Sequence, residues 1–531
     1  HGEAVIDFQF AGVQSGRHVG GHRFYHPGPI EARADLERHV AHLRDAHVVA
    51  DPAERQQVIE TGLAQLATEA GGRWRPDPQT LQTVVYLVEW PAPLLGTFAS
   101  EYLEIPAEVI FATLRENQKL FLLDGPDGRL LPRFVAVANT LSDHSRATVA
   151  TGNARVVSAR LSDARFFYRE DTKHRLADRV LDLDSRIWLA GLGTIGDKVR
   201  RVAATANALC ARACPHHGAD VARAAHLCKA DLGTKMVFEF PELQGTIGSY
   251  YAREDGESAA VAAAIASHYQ PRFAGDAVAA DAVGQLLAVA DKLDTIVGCF
   301  ALGLVPTGAQ DPYSLRRSAL GVLRTLGEAG LALGLGEALE LAIAQLPEAS
   351  RDKAGPGLRD QVFAFLRGRL AALWSAEFGV DATEAVLEAG FDRVDSVAPR
   401  LRALHDLRTH ADFAALAAAF KRVANLVKKS ADAGDLGAAF SPDLCEKQAE
   451  RDLYAKVAEL QAQCATSLAQ SDYAGALLAL AQLRPAVDGF FDSVMVMAQD
   501  AAVRRNRLAL LALVAALFAP IADFGRLQGG A

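Results

Sequence analysis

Residues 413–429 read Phe-Ala-Ala-Leu-Ala-Ala-Ala-Phe-Lys-Arg-Val-Ala-Asn-Leu-Val-Lys-Lys, and this stretch sets the character of the chain. Phe413, Leu416, Phe420, Val423, Ala424 and Val427 recur at three- and four-residue steps, the spacing of one buried face of an α-helix. Behind that stripe Lys421, Asn425 and Lys428 fall at i, i+4 and i+7, with Arg422 and Lys429 beside them. Four cations crowded onto one helix, in a chain of net charge −9, concentrate a positive field there. A solvated helix face accounts for such a cluster. The sharper reading is contact with phosphates, Asn425 offering amide hydrogen bonds to a base edge.

The same helical grammar continues in both directions. Downstream, Ser441-Pro442 reads as an N-cap followed by Pro at the first helical position. Leu453, Val457, Leu460 and Cys464 then repeat the helical period, and the chain closes on the apolar run Leu508 to Phe518. A second basic cluster, Arg504-Arg505-Asn506-Arg507, precedes that run, and a third, Arg316-Arg317, follows Asp311-Pro312-Tyr313 at a helix start. Upstream to about residue 150, Ala, Leu, Arg and Glu dominate at helical spacing. Gly and Pro clusters near 305–312, 327–336 and 354–357 mark loops, and Lys353 to Gly357 is the best candidate boundary.

Before residue 150 the pattern changes. Ala4 to Phe10 and Val84 to Trp90 read as short β-rich runs, and Ala32–His47 and Glu54–Glu69 have helical composition. Lys119–Asp124 and Arg129–Asn139 flank Gly125-Pro126-Asp127-Gly128, which predicts a β-hairpin. The expected fold is mainly α and multidomain. It comprises a mixed α/β region at 1–150, a helical domain at 151–350 and a C-terminal helix bundle at 351–531.

Composition agrees and excludes alternatives. A chain of 531 residues with 50% hydrophobic and 22% charged residues has material for about three cored domains and is not disordered. Net charge −9 rules out a uniformly basic nucleic-acid coat while permitting local basic stripes. Six Cys in this length make no disulfide framework and fit a reducing cytosol. Leu508 to Phe518 is about half of what spans a bilayer, so it reads as a buried terminal helix. Val5, Asp7, Phe8 and Phe10 do not make a signal peptide. The expectation is a cytoplasmic protein with no membrane partner.

Three motifs invite chemistry. Gly191-Leu-Gly193-Thr-Ile-Gly196 is formally G-x-G-x-x-G, with Asp220 at a suitable distance beyond it. No alternation of strands and helices follows, so no parallel sheet is available, and the glycines read as a loop entering a helix. Cys210, Cys214, His216, His217, His226 and Cys228 could hold zinc, but Cys210 and Cys214 are spaced as helix neighbours without C-x-x-C, and their apolar surroundings suit buried free thiols. Asp231 in Leu-Cys-Lys-Ala-Asp-Leu and Asp291 in Ala-Val-Ala-Asp-Lys-Leu-Asp look like the HD-domain arrangement, in which a His-Asp pair and a later Asp hold a metal. Position 230 is Ala, so the His is missing, and the reading is a degenerate HD site with no metal and no catalytic residues. A metal-dependent HD-type phosphohydrolase using Asp231 and Asp291 is the alternative function, resting on metal-activated water.

In order along the chain, the segments resemble the beta subunit of the bacterial two-subunit glycyl-tRNA synthetase. They begin with Gly21-His22-Arg23-Phe24, Leu87-Val-Glu89-Trp90-Pro91, Asn117-Gln118-Lys119 and Gly152-Asn153. Arg160-Leu-Ser-Asp163-Ala-Arg165-Phe166-Phe167, Lys229-Ala-Asp231-Leu and Glu242-Leu-Gln244-Gly245 follow. Tyr269-Gln-Pro271-Arg272-Phe273, Ala290-Asp291-Lys292-Leu-Asp294 and Asp311-Pro312-Tyr313-Ser-Leu-Arg316-Arg317 continue the series. It ends with Lys421-Arg422-Val-Ala-Asn425 and Pro485-Ala-Val-Asp488-Gly-Phe490-Phe491-Asp492 leading to Met495 and Met497.

The resemblance implies a division of labour. A separate alpha subunit uses ATP and Mg2+ to make glycyl-adenylate and charge the tRNA, whereas this chain binds no cofactor and no DNA. Its part is to hold glycine tRNA, with an HD-like domain near the acceptor end and a C-terminal bundle similar to the anticodon-binding domains of arginyl- and cysteinyl-tRNA synthetases. The expected tRNA contacts are Lys421, Arg422, Asn425, Lys428 and Lys429, with Arg316, Arg317, Arg504 and Arg505. Family members carry a further region before Gly-His-Arg-Phe, so a truncated chain is expected.

Overall fold

The computed structural model describes residues 5–408, 413–432 and 439–527. Ala4 of the first β-rich run lies outside them, as do the side chains of Asn117 and Phe413. The chain divides into two compact units, one of His1–Arg179 with Ala230–Asp255, the other of Val180–Lys229 with Gly256–Ala531. Among the described residues no helix is long and apolar enough to cross a membrane.

The first unit is built on a four-stranded antiparallel sheet in the order Arg73–Trp74, Phe121–Asp124, Leu130–Ala138, Ala92–Thr97. The expected hairpin forms its centre. The Gly125 N–H donates to the Arg129 carbonyl at 2.7 Å, and Gly128 turns the chain at φ +78°, a conformation open to glycine at little cost. Because strand side chains alternate, Phe121, Leu123 and Val135 point one way, onto Ile59, Leu63, Val84 and Val85 of two helices, Pro52–Glu69 and Pro78–Leu87. Leu94, Leu122 and Phe134, also buried, point the other way. A Cβ on Gly96 would come within 2.2 Å of the Phe134 ring, so the strand pair closes only with glycine there.

One sequence expectation fails in this unit. Val84–Leu87 is not a strand but the last part of helix Pro78–Leu87. Asp77 accepts the Thr80 N–H and Pro78 occupies the first turn, so the start signals are strong, and Leu81, Val84, Val85 and Val88 share a buried face. The helical period outweighs the β-branched composition. The first run is a strand only at Gln9–Phe10, paired with Val13–Gln14.

The second unit is helical. Its axis is Ala282–Ala301, buried on nearly every side and surrounded by Ile195–Ala213, Gly218–Leu227, Ala259–Ser267, Leu315–Glu328 and Leu335–Ala344. The glycine motif enters a helix as expected. Ile187–Leu189 pairs antiparallel with Gly193–Thr194, and Thr194 and Asp197 then form a capping box on Ile195–Ala213. The C-terminal part holds Phe413–Asp432, Gln448–Ala469, Tyr473–Ala481, Arg484–Ser493 and Ala501–Phe518. Ser441-Pro442 departs from expectation. It opens only the short 3-10 turn Pro442–Leu444, with no side-chain cap, and the α-helix starts at Gln448.

Candidate nucleic-acid interface

Helix Phe413–Asp432 is oriented by its apolar stripe. Phe420 is fully buried, stacked on Phe518 with ring centroids 4.8 Å apart and edge-on to Phe524 at 5.4 Å. With Leu416 and Val423 also buried, Arg422, Asn425 and Lys429 are left exposed at i, i+3 and i+7. These three line a groove of about 810 Å³. Its other wall begins at Phe491 and runs through Asp492 to Met497, where helix Arg484–Ser493 ends and the chain extends. Val494 and Val496 turn inward, while Met495 and Met497 are 78% and 52% exposed, the period-two alternation of an extended segment. The Arg422 guanidinium lies 3.9 Å from the Phe491 ring centroid, a cation–π contact joining the two walls.

The extended wall is held from behind by buried charge. Arg507 pairs with Glu450 at 2.7 Å and Glu446 at 2.8 Å and donates to the Met495 carbonyl at 3.1 Å. Arg504 donates to the Ala498 carbonyl at 3.1 Å. Asn506 clasps the backbone of Ser441, accepting its N–H and donating to its carbonyl.

The candidate contacts named from sequence therefore separate. Arg422, Asn425 and Lys429 share the groove. Lys421 is half-buried and donates to the Leu527 carbonyl at 2.8 Å, whereas Lys428 is exposed but does not line the groove. Arg505 is exposed and its Nε donates to the Ala501 carbonyl of its own helix. Arg316 and Arg317 start helix Leu315–Glu328. There Asp311 accepts the N–H groups of Leu315 and Arg316, the Arg316 guanidinium donates to the Gly308 carbonyl at 2.7 Å, and Arg317 is exposed. Sequence reasoning left Phe491, Asp492, Met495 and Met497 out of the site. The signal was the in–out alternation of Val494 to Met497 following a helical stretch.

The HD-type aspartates belong to different units. Asp231 is fully buried and accepts the Gly245 N–H at 2.5 Å. Asp291 is paired with Lys198 at 3.1 Å and Lys229 at 2.9 Å. Burial alone would push its carboxyl up, but the two ammonium groups outweigh that and hold it well below the usual carboxylate range. Among the described residues no group of three or more His, Cys, Asp or Glu could hold a metal ion. A divalent cation at Asp291 would have to displace two ammonium groups. Lys229 also donates to His268 Nε2 at 2.8 Å, because His268 Nδ1, 2.8 Å from the Ile265 carbonyl, keeps the ring proton. Burial and the Lys229 charge hold His268 neutral. At the cysteine cluster, Cys210 donates to the Cys214 carbonyl and both thiols are buried, whereas His216 and His226 are exposed.

Lys292 supplies a pH signature. Among the described residues its ammonium donates to two neutral carbonyls, those of His268 at 3.0 Å and Gln270 at 2.7 Å, and burial pushes its pKa from 10.5 down to about 7. Between about pH 7 and 10 the unfolded chain holds this proton and the folded chain does not, so stability should rise with pH across that window. Denaturant unfolding at pH 7 to 9.5 should show the rise, and Lys292→Met should flatten it. An unchanged slope in the variant would mean that Lys292 is not the group responsible.

Comparison with known proteins bears on both parts of the chain. Residues 1–388 match the family described as glycyl-tRNA synthetase beta subunit, and residues 416–523, which contain the groove, match the DALR anticodon binding domain. A glycine–tRNA ligase beta subunit from Geobacter sp. is 43% identical over 524 residues, 99% of this chain and 75% of the relative. Those of Anaeromyxobacter dehalogenans and Myxococcus xanthus are 43% and 41% identical, and the chain again spans about three-quarters of each. Kinship over nearly the whole chain, with an anticodon-binding domain at the groove, places this chain in the glycyl-tRNA synthetase beta subunit family.

Proposed function

We propose that this chain holds glycine tRNA through the C-terminal groove and thereby orients the acceptor end toward the active site of a separate alpha subunit. Orientation is where such a subunit contributes rate, since pre-positioning removes entropy from the transfer step. In this reading the alpha subunit brings ATP and Mg2+ chemistry, and this chain acts beside it in the cytoplasm without a cofactor of its own. In this reading residues 1–150 are a mixed α/β region, 151–350 an HD-like helical domain, although its two aspartates fall in different compact units, and 351–531 the anticodon-binding bundle.

The observation that carries the reading is the groove. Within the matched anticodon-binding residues, Arg422 and Lys429 supply cations, Asn425 an amide, and Phe491 a ring on which a base can stack. That combination suits unpaired RNA. Arg422→Ala with Lys429→Ala should weaken binding of glycine tRNA and lower the salt slope by roughly one to two units, about 0.7–0.9 for each phosphate no longer neutralised. Lys428→Ala, outside the groove, should change the slope less. A titration over a salt series checks both, and an unaltered slope in the double variant would sink the assignment.

A further inference from the structure

Three packed helices bring an imidazole and a carboxylate onto one lysine. Lys229 lies just beyond Gly218–Leu227, His268 ends Ala259–Ser267, and Asp291 sits midway along Ala282–Ala301, all within the second unit. The Lys229 ammonium is 2.8 Å from His268 Nε2 and 2.9 Å from Asp291 Oδ2, and it faces the Tyr269 ring at 3.8 Å from the centroid. Lys229, His268 and Asp291 are 5%, 0% and 8% exposed, so little water competes for these contacts.

The two groups around the ammonium are held as metal ligands are held. A metal-bound histidine coordinates through one ring nitrogen while the other donates to a carbonyl or carboxylate, which fixes the tautomer and the ring plane. His268 has that arrangement, with Nδ1 2.8 Å from the Ile265 carbonyl and the Nε2 lone pair turned to Lys229. Asp291 offers Lys229 one oxygen, and Lys198 steadies the other at 3.1 Å. Imidazole nitrogen with carboxylate oxygen is a donor pair that suits zinc. Asp291 therefore has a histidine partner after all, but it is His268 and not a residue beside Asp231. Yet the cation on which the two groups converge belongs to the chain. We propose that the Lys229 ammonium occupies the seat of a divalent metal ion between His268 and Asp291, so that the helical unit carries its own cation in place of the metal that an HD-type arrangement implies. Two consequences follow from this exchange. The wild-type unit needs no metal to fold, and removing the lysine side chain opens a zinc site. The seat is independent of the RNA groove, and its test is separate.

The full chain is titrated with Zn2+ as wild type and as Lys229→Ala, reading both bound zinc and the thermal unfolding midpoint. Wild type supplies the background from surface histidines. Lys229→Ala should bind one zinc ion more per chain than wild type. Its lowered midpoint should rise on adding zinc, because a ligand that binds only the folded chain stabilises it. His268→Ala added to Lys229→Ala should weaken the extra site by at least about tenfold, the loss that removing even an outer partner of a metal ligand brings. Lys229→Met fills the seat with an uncharged chain and should gain no zinc. A folded Lys229→Ala that binds no more zinc than wild type overturns the proposal. An equal gain in Lys229→Met overturns it as well, since the extra zinc would then lie elsewhere. The same holds if zinc fails to fold Lys229→Ala while Lys229→Met folds without it. In wild type, a midpoint that drops in chelator and recovers with zinc would show that the unit takes up a metal despite Lys229, and would also overturn it.

Discussion

Asp294→Ala is expected to cost the helical unit about 3–5 kcal/mol, read as a lowered denaturant midpoint. Asp294 is 2% exposed and takes Arg201 in a two-point grip at 2.7 and 3.2 Å, with Lys198 at 3.1 Å. Trp188 lies beneath both cations, at 4.4 Å from the Lys198 ammonium and 5.8 Å from the Arg201 guanidinium. Removing the carboxylate leaves two buried positive charges; among the described residues Lys198 then keeps Asp291, which Lys229 already shares, and Arg201 keeps no ion-pair partner. The cost comes from the orphaned charges, not from the worth of the pair. Asp294→Leu combined with Arg201→Met should therefore cost less than Asp294→Ala alone. A single-variant loss under about 1 kcal/mol would show that water reaches the cluster and screens it.

Glu450→Ala should be of comparable size, about 3–5 kcal/mol, and should reach the groove as well. Glu450 is 1% exposed. One carboxylate oxygen takes the Arg507 guanidinium, and the other accepts the N–H groups of Glu446 and Lys447 at 2.8 and 2.7 Å. Its loss leaves the buried Arg507, which holds the Met495 carbonyl, with the more exposed Glu446 as its remaining ion-pair partner among the described residues, so the backing of the groove wall weakens. The expected result is a destabilised C-terminal bundle together with weaker tRNA binding at temperatures where the bundle remains folded. Glu450→Gln, which can still accept the two backbone N–H groups, should lose less stability. If tRNA affinity stayed at the wild-type level in folded Glu450→Ala, the wall would not depend on Arg507.

These two carboxylates show where sequence reading stops. Helices with long periodic stripes, the Gly125–Gly128 turn and the loop at Gly191 were legible because their signals are local. Val84–Leu87 was misread because β-branched composition masked a start signal seven residues upstream, at Asp77. The site was half legible. The sequence marks a basic face on this helix but centres it on Lys421, Asn425 and Lys428 rather than on Arg422, Asn425 and Lys429, and the facing wall comes from residues some seventy positions later. Arg504 to Arg507 look like one exposed cluster in sequence. Burial sorts them into Arg507 inside, Arg504 partly covered and Arg505 outside, which local composition does not encode.

The alternation that turns Met495 and Met497 outward has a spectroscopic consequence. The chain contains three methionines, and the third, Met236, is fully buried in the other unit. Protein labelled only at the methionine methyls thus carries two reporters on the groove and one internal reference, in a chain of 56.6 kDa whose full spectrum would be crowded. Movement of two of the three resonances on adding RNA, with the third at rest, would locate the ligand without a single substitution.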